Sequence, residues 1–168
     1  ARQPGLGAIE AVEADSKSFE KLQSYVATLD RTLRERIRLH KCAVGRERST
    51  VRFADTVNVD SKVSQTGGAV VDLFPIDELL GDRSVTMIKM DIEGAEFDAL
   101  IGATRVIQRD LPILAICVYH LQEDVWRLPL LMREMYPEYR MYLKTYCGDA
   151  IQAVAYAVPP ARVISAAG

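Results

Sequence analysis

Two spacings of apolar residues alternate along the chain and predict alternating strands and helices. Spacings of three and four residues predict one helix that starts near Ser16, a second after Gly94, and a third after Asp124 that Pro129 divides into two pieces. Short β-prone runs predict strands at residues 8–14, 37–44, 50–53, 69–73, 84–91, 113–119, 139–146 and 153–158. This order of elements predicts an α/β sandwich with a mostly parallel sheet.

The last strands carry two further signals. Residues 113–119 are almost continuously hydrophobic, which is typical of a parallel strand buried on both faces. Residues 139–146 and 153–158 are separated by a short connection, and we expect them to pair as antiparallel strands. The polar residues between Phe53 and Ala69 predict a loop.

Composition and charge exclude several classes of protein. The chain has 168 residues, of which 49% are hydrophobic and 26% charged, and its net charge is −2. These values exclude an intrinsically disordered chain and leave no basic field that would bind nucleic acid. The longest apolar run, Ile113 to Tyr119, is too short to span a membrane, and no signal peptide is visible. We expect one domain over residues 1–160 and a tail over residues 161–168.

The cysteines favour a reducing compartment. Cys42, Cys117 and Cys147 are odd in number and show no CxxC spacing, which argues against a disulfide framework and against a zinc ribbon. The sequence therefore predicts a cytoplasmic protein.

Residues at the carboxyl ends of the strands are the first candidates for chemistry, because parallel α/β sheets bind ligands there. Glu13 ends the first predicted strand, and its carboxylate could accept hydrogen bonds from both hydroxyls of a ribose. The alternative is a surface acid near the start of a helix, where the helix dipole stabilises negative charge.

The segment from Ile88 to Glu96 joins a predicted strand to a predicted helix. Lys89 lies within the strand and needs a carboxylate partner, because burial of an unpaired charge is costly. The available partners are Asp91, Glu93, Glu96 and Glu13. Gly94 permits a tight turn or the close approach of a ligand. The alternative is a structural ion pair beside helix-capping acids.

His120 follows the most hydrophobic strand and could act as a general base or as a metal ligand. The alternative is a hydrogen-bonded packing residue. Asp91, Glu93 and His120 could also meet around a magnesium ion. No spacing requires such an ion, and we predict no metal site.

Taken together, these residues resemble the FkbM-type family of S-adenosylmethionine-dependent methyltransferases. The stretch from Ile88 to Glu96 with Ala99-Leu100-Ile101-Gly102-Ala103 is similar to that family's most recognisable motif. Further segments resemble other parts of the family pattern, namely Pro112 to His120, Glu123-Asp124-Val125-Trp126, Ala11-Val12-Glu13-Ala14-Asp15 with Phe19-Glu20-Lys21-Leu22, and Ala43-Val44-Gly45.

The resemblance implies a Rossmann-like class I methyltransferase sandwich whose last strand is antiparallel. It implies transfer of a methyl group from S-adenosylmethionine to a hydroxyl of a sugar, lipid or secondary metabolite, so the expected partner is a small-molecule or glycan acceptor. The implied cofactor-binding residues are Glu13 on the ribose, with Ala14 next to it in the chain, Ala43 and Val44 beside the adenine, and Asp91 near the methionine end or the acceptor. The candidates for the catalytic base are His120, Asp91 and Glu93.

The sequence departs from the family pattern at its start. Methyltransferases of this fold open with a strand and a Gly-rich cofactor loop, whereas this chain goes from Gly7 directly into the second strand of the pattern. We therefore expect the first strand and the loop to be absent from this chain, which leaves a sheet edge that could pair with a second copy in a homo-oligomer. The alternative function is a non-catalytic binding module with a degenerate methyltransferase fold.

Two shorter departures lie near the end of the chain. Lys144-Thr145-Tyr146 replaces an Arg-His-Tyr-like stretch, and Ile151-Gln152-Ala153 lacks the usual Glu-Thr pair. A Rossmann-type dehydrogenase is disfavoured because the sequence has no GxGxxG motif.

Overall fold

The computed structural model describes residues 7–53, 69–146 and 152–163, which form an α/β fold with three sheets. The predicted loop between Phe53 and Ala69 and the predicted tail lie mostly outside the described residues. Within those ranges no helix is both long enough and apolar enough to cross a membrane.

The chain divides into two compact units, and the first comprises Ala1–Ala43 and Ser49–Leu73. The elements of this part of the chain are β1 (Ile9–Val12), α1 (Ser16–Thr28), α2 (Arg31–Arg34), β2 (Ile37–His40), β3 (Ala43–Val44), β4 (Ser49–Phe53) and β5 (Ala69–Phe74). Strands β1 and β2 are parallel neighbours. A second sheet has the order β3, β5, β4, and β4 and β5 are antiparallel.

Two local predictions in this region are corrected. The single strand predicted over residues 37–44 is two strands, because the chain leaves its pairing with β1 after His40 and enters another sheet at Ala43. The cap of α1 is Asp15, whose carboxylate accepts a hydrogen bond from the backbone N–H of Ser18. Ser16 is the first residue of the helix instead.

The second unit comprises Val44–Arg48 and Phe74–Gly168 and contains the larger sheet. Its elements are α3 (Ile76–Leu80), β6 (Met87–Met90), α4 (Glu96–Ile101), α5 (Thr104–Asp110), β7 (Ile113–Cys117), α6 (Asp124–Met135), β8 (Arg140–Thr145), β9 (Ala153–Val158) and a 3₁₀ turn (Pro160–Arg162). The strand order is β6, β7, β9, β8. Strands β6 and β7 are parallel, and β9 is antiparallel to both of its neighbours. The predicted antiparallel last strand is therefore confirmed.

The core of this unit lies on one face of the sheet. Leu114 and Ile116 of β7 are fully buried and point towards α4, α5 and α6. Ala115 and Cys117 are buried on the opposite face, so the prediction of a strand buried on both sides is confirmed. Because β6 and β7 run in parallel, their carboxyl ends lie at the same edge of the sheet.

Two helix predictions are corrected. The helix predicted after Gly94 is two short helices, α4 and α5, separated by Gly102 and Ala103. Helix α6 runs through Pro129 without a break, although proline removes one backbone hydrogen bond from a helix. The buried side chains of α6 supply the packing that offsets this loss, namely Leu128, Leu131, Met132 and Met135.

Candidate functional site

The turn after β6 is held in an unusual backbone conformation. Glu93 has φ 57° and Gly94 has φ 97°. A residue with a side chain pays an energetic penalty of about 1–2 kcal/mol in this left-handed region. Glu96 compensates for it, because its carboxylate accepts hydrogen bonds from the backbone N–H groups of Ile92 at 2.8 Å and Gly94 at 2.9 Å. The turn therefore has a defined shape, and it presents Asp91 and Glu93 at the end of β6.

His120 brings its ring to the same place from the end of β7. Its Nδ1 lies 2.9 Å from Glu96 Oε1, and its Nε2 lies 3.3 Å from Asp91 Oδ1 and 3.7 Å from Glu93 Oε2. The His120 side chain is only 5% exposed. The structure thus brings together the three residues that the sequence singles out as candidate bases.

The ring nitrogens of His120 lack aligned partners. Both are buried, and neither makes a hydrogen bond to any residue that the structure describes. The nearby carboxylate oxygens must therefore lie away from the ideal N–H directions, since their distances alone would permit hydrogen bonds. A buried polar atom without a partner is costly, and catalytic hydrogen bonds often align only when a substrate binds. This arrangement is compatible with a site in which a ligand hydroxyl forms a hydrogen bond with the ring.

Asp91 has two further neighbours. Tyr119 donates its phenolic O–H to Asp91 Oδ1 at 2.9 Å, and Lys89 Nζ lies 3.7 Å from Oδ2. The predicted carboxylate partner of Lys89 is therefore confirmed. The expectation that the lysine is buried is wrong, because its side chain is 62% exposed at the edge of the described sheet. An ion pair this open contributes little to stability.

Two residues near His120 were not singled out as functional candidates. Burial, and then the hydrogen bond to Asp91, raises the pKa of Tyr119 well above its usual range, so the phenol stays protonated and acts as a donor. Asp124 is 2% exposed, and its Oδ2 has no hydrogen-bond partner among the described residues. Burial, and then the charge of Glu96, raises the pKa of Asp124. Asp124 could be recognised from the sequence only as a helix start.

A cleft of about 280 Å³ opens beside Asp91. Tyr119, Tyr146 and Tyr156 line it together with Lys89 and Cys117, so it combines aromatic faces with polar groups. Burial, and then the charge of Asp91, raises the pKa of the Cys117 thiol to about 12, which excludes a thiolate nucleophile at neutral pH. The cleft is suited to holding a polar ligand rather than attacking it.

Two of the predicted cofactor residues, Glu13 and Ala14, follow β1 in the first unit. The backbone N–H of Glu13 donates to the carbonyl of His40 at 3.0 Å and extends the β1–β2 ladder by one step. Glu13 Oε1 accepts a hydrogen bond from the backbone N–H of Asp15 at 2.8 Å. The carboxylate is therefore oriented by the turn that follows β1. Ala14 is half-buried beside it.

Ala43 and Val44 form β3. Ala43 is buried and Val44 is half-buried, so both present small apolar surfaces rather than hydrogen-bonding side chains. Such surfaces suit a flat apolar group. Among the residues of known placement, no group of three or more His, Cys, Asp and Glu side chains has an arrangement that could hold a metal ion.

Comparison with known proteins identifies the family of the chain. The sequence profile described as "Methyltransferase FkbM domain" matches residues 1–151. A crystal structure described as methyltransferase FkbM from Methylobacillus flagellatus KT is 30% identical in sequence and matches 90% of this chain with a TM-score of 0.75. The present chain corresponds to 36% of that protein's chain. No curated protein sequence matches significantly.

Proposed function

The chain belongs to the FkbM methyltransferase family, and from this premise we propose that it transfers a methyl group from S-adenosylmethionine to a hydroxyl group. The acceptor is a sugar, a lipid or a secondary metabolite. The fold that we propose for the whole catalytic domain is the Rossmann-like sandwich of class I methyltransferases. The single observation that carries the proposal is the buried His120 ring, whose nitrogens have no aligned partner beyond the ends of two parallel strands.

Glu13 is the residue that we assign to the ribose of the cofactor. Its Oε1 is engaged by the backbone N–H of Asp15, which orients the carboxylate. Its Oε2 accepts no hydrogen bond from the described residues and is available for a ribose hydroxyl. Ala14 adjoins the ribose in this assignment, and Ala43 and Val44 provide the apolar surface for the adenine. S-adenosylmethionine supplies the electrophilic methyl group of the reaction.

His120 is the residue that we assign as the general base. A hydroxyl becomes a competent nucleophile when a base removes its proton as it attacks. The imidazole Nε2 is the group best placed to accept that proton, and the proton then resides on the ring beside Asp91 and Glu93. These carboxylates stabilise the positive charge that develops on the imidazole.

In this scheme Asp91 also helps to align the methyl acceptor. Its Oδ1 is held by Tyr119 and its Oδ2 lies near Lys89, so its position at the end of β6 is defined. A fixed carboxylate can accept a hydrogen bond from a neighbouring hydroxyl of the acceptor and align the reacting oxygen. The cleft beside Asp91 provides the room for that acceptor.

Calorimetric titration with S-adenosylmethionine tests the class of the protein. Saturable binding by the chain, or by a longer gene product that contains it, supports the methyltransferase. Absence of binding by both favours the non-catalytic binding module and overturns the proposal.

Transfer of a radiolabelled methyl group to a panel of hydroxylated acceptors tests the assignment of the base. We expect His120→Asn to lower kcat by at least 10²-fold, the lower end of the usual contribution of a general base. The matched control is His40→Asn, because His40 pairs with Glu10 in the first unit and has no assigned role. Turnover unchanged in His120→Asn would reject this residue as the base.

Cytoplasmic location, self-association and the single domain over residues 1–160 stay predictions.

A further inference from the structure

Glu96 is a buried carboxylate whose position is fixed from two sides. It is 0% exposed and lies in the first turn of α4. Its two oxygens accept hydrogen bonds from the backbone N–H groups of Ile92 and Gly94, one each. A side chain held in this way cannot rotate without breaking the turn that carries Asp91 and Glu93. Glu96 therefore presents Oε1 to its neighbours from a constant position.

The ring of His120 meets carboxylates of unequal strength on its two sides. Glu96 Oε1 lies 2.9 Å from Nδ1, whereas the oxygens near Nε2 lie at 3.3 and 3.7 Å. The side chains of Asp91 and Glu93 are 40% and 32% exposed, so water screens their charges. Glu96 is closer and is shielded from water, and its electrostatic influence on the ring is the strongest of the three.

A carboxylate oxygen attracts an N–H group and repels the lone pair of a bare ring nitrogen. When the ring is neutral it carries one proton, and the stronger carboxylate determines which nitrogen holds it. We propose that Glu96 is a positioning residue that keeps this proton on Nδ1 of His120 and leaves Nε2 bare to accept the proton of the methyl acceptor. This inference rests on the proposed function, in which His120 is the base.

The inference also explains why a buried acid occurs at this position. Glu96 stabilises the left-handed backbone at Glu93 and Gly94, and the same carboxylate lies 2.9 Å from Nδ1 of His120. In catalytic sites the group behind a histidine sets its tautomer, and loss of that group impairs the reaction because the wrong nitrogen carries the proton. Glu96 touches neither cofactor nor acceptor in this scheme and acts only through His120.

The tautomer of His120 can be measured directly by NMR on protein labelled with ¹⁵N-histidine. The chain has two histidines, so only two ring systems contribute. His40 serves as the internal reference, because its Nε2 lies 2.8 Å from Glu10 Oε2 and should carry the proton in the neutral ring. At a pH where both rings are neutral, we expect the Nδ1–H tautomer for His120 and the Nε2–H tautomer for His40.

The Glu96→Gln variant tests the cause. We expect the His120 population to shift towards the Nε2–H tautomer, while the His40 signals stay unchanged. The reciprocal control is Glu10→Gln, which should alter His40 and leave His120 as it is. Circular dichroism and urea unfolding report whether the Glu96→Gln chain is folded, because His40 lies in the first unit and Glu96 in the second.

Two results would overturn the inference. One is an Nε2–H tautomer for His120 in the wild-type protein, a measurement that does not depend on any variant. The other is a wild-type tautomer that persists in folded Glu96→Gln. Both measurements are made without cofactor or acceptor, so they are separate from a failure of the proposed methyl transfer, which the titration with S-adenosylmethionine would show.

Discussion

The phenolic oxygen of Tyr119 lies 2.9 Å from Asp91 Oδ1 and joins the ends of two neighbouring parallel strands. Tyr119 follows β7 and Asp91 follows β6, so one hydrogen bond links the two segments that carry His120 and Glu93. Because burial raises the pKa of Tyr119, the phenol remains a donor throughout the physiological range of pH. The hydrogen bond should therefore orient Asp91 in the proposed reaction.

We expect Tyr119→Phe to lower the catalytic rate and to have only a small effect on the free energy of unfolding. The variant retains the ring and its packing but leaves Asp91 without this donor. A hydrogen bond to a charged group contributes about 1.5–3 kcal/mol, and the partial exposure of this site should reduce the contribution to about 1 kcal/mol. We predict a fall in kcat of roughly tenfold, measured by methyl transfer, and a loss of about 1 kcal/mol in the free energy of unfolding, measured with urea.

Tyr136→Phe is the matched control for this variant. Tyr136 also donates to a carboxylate, Glu138 Oε2, at 3.0 Å, but it lies beyond the end of α6 and has no assigned role. Its loss should leave kcat unchanged. Equal effects of the two variants on kcat would show that Tyr119 does not act through Asp91.

We expect Glu13→Gln to weaken binding of S-adenosylmethionine without unfolding the chain. Glutamine retains a carbonyl oxygen that can accept the hydrogen bond from the backbone N–H of Asp15. It loses the negative charge and one of the two acceptor oxygens that suit a pair of ribose hydroxyls. We predict a Kd about tenfold higher by calorimetry, equivalent to about 1.4 kcal/mol. Glu20→Gln on the exposed side of α1 is the control, and equal affinities of both variants would reject the assignment.

The convergence of His120 and Asp91 could be predicted from the sequence. Both residues follow hydrophobic strands, and adjacent parallel strands end at the same edge of a sheet. Their types and their positions after the strands were sufficient, and no distance had to be known. The antiparallel pairing of β8 and β9 was predictable for a similar reason, because consecutive strands joined by a short connection run in opposite directions.

The role of Glu96 could not be predicted in the same way. Its position two residues after Gly94 indicates a helix start, but the hydrogen bonds to the backbone of Ile92 and Gly94 depend on the left-handed conformation of the turn. Pro129 is a second example. Its local preference is to end or begin a helix, and the burial of α6 against the sheet overrides that preference. Tertiary contacts decide both cases.

Gly102, between α4 and α5, packs against the backbone of Gly45 and leaves no room for a side chain. A Cβ atom at this position would lie 2.0 Å from the carbonyl oxygen of Gly45, which is backbone and cannot rotate away. We predict that Gly102→Ala lowers the free energy of unfolding by about 3 kcal/mol, the upper range for overpacking. Chemical denaturation measures the change. Gly7→Ala is the control, since nothing lies within 4 Å of the added Cβ, and a similar loss in both variants would refute the steric explanation.

Asp124 should make the stability of the protein depend on pH in a direction opposite to that of most carboxylates. Its pKa is raised in the folded state by burial and by the charge of Glu96, so the folded chain holds this proton more tightly than the unfolded chain does. Below the ordinary aspartate pKa of about 3.9, the group is protonated in both states and no penalty exists. As the pH rises through that value and then through the raised pKa, ionisation of the buried group destabilises the fold, and above it the penalty is complete.

We therefore expect Asp124→Asn to be more stable than the wild-type chain at pH 7, by about 1 kcal/mol. The amide cannot ionise, although it loses part of the favourable interaction between a negative charge and the start of α6. The difference between the two chains should shrink as the pH is lowered towards 3.9, because the wild-type carboxyl then becomes neutral as well. Urea unfolding at several pH values measures it. Asp98→Asn, at an exposed position in the first turn of α4, controls for the loss of a helix-start charge. A wild-type chain that is the more stable of the two at pH 7, or a difference that does not change with pH, would contradict the raised pKa of Asp124.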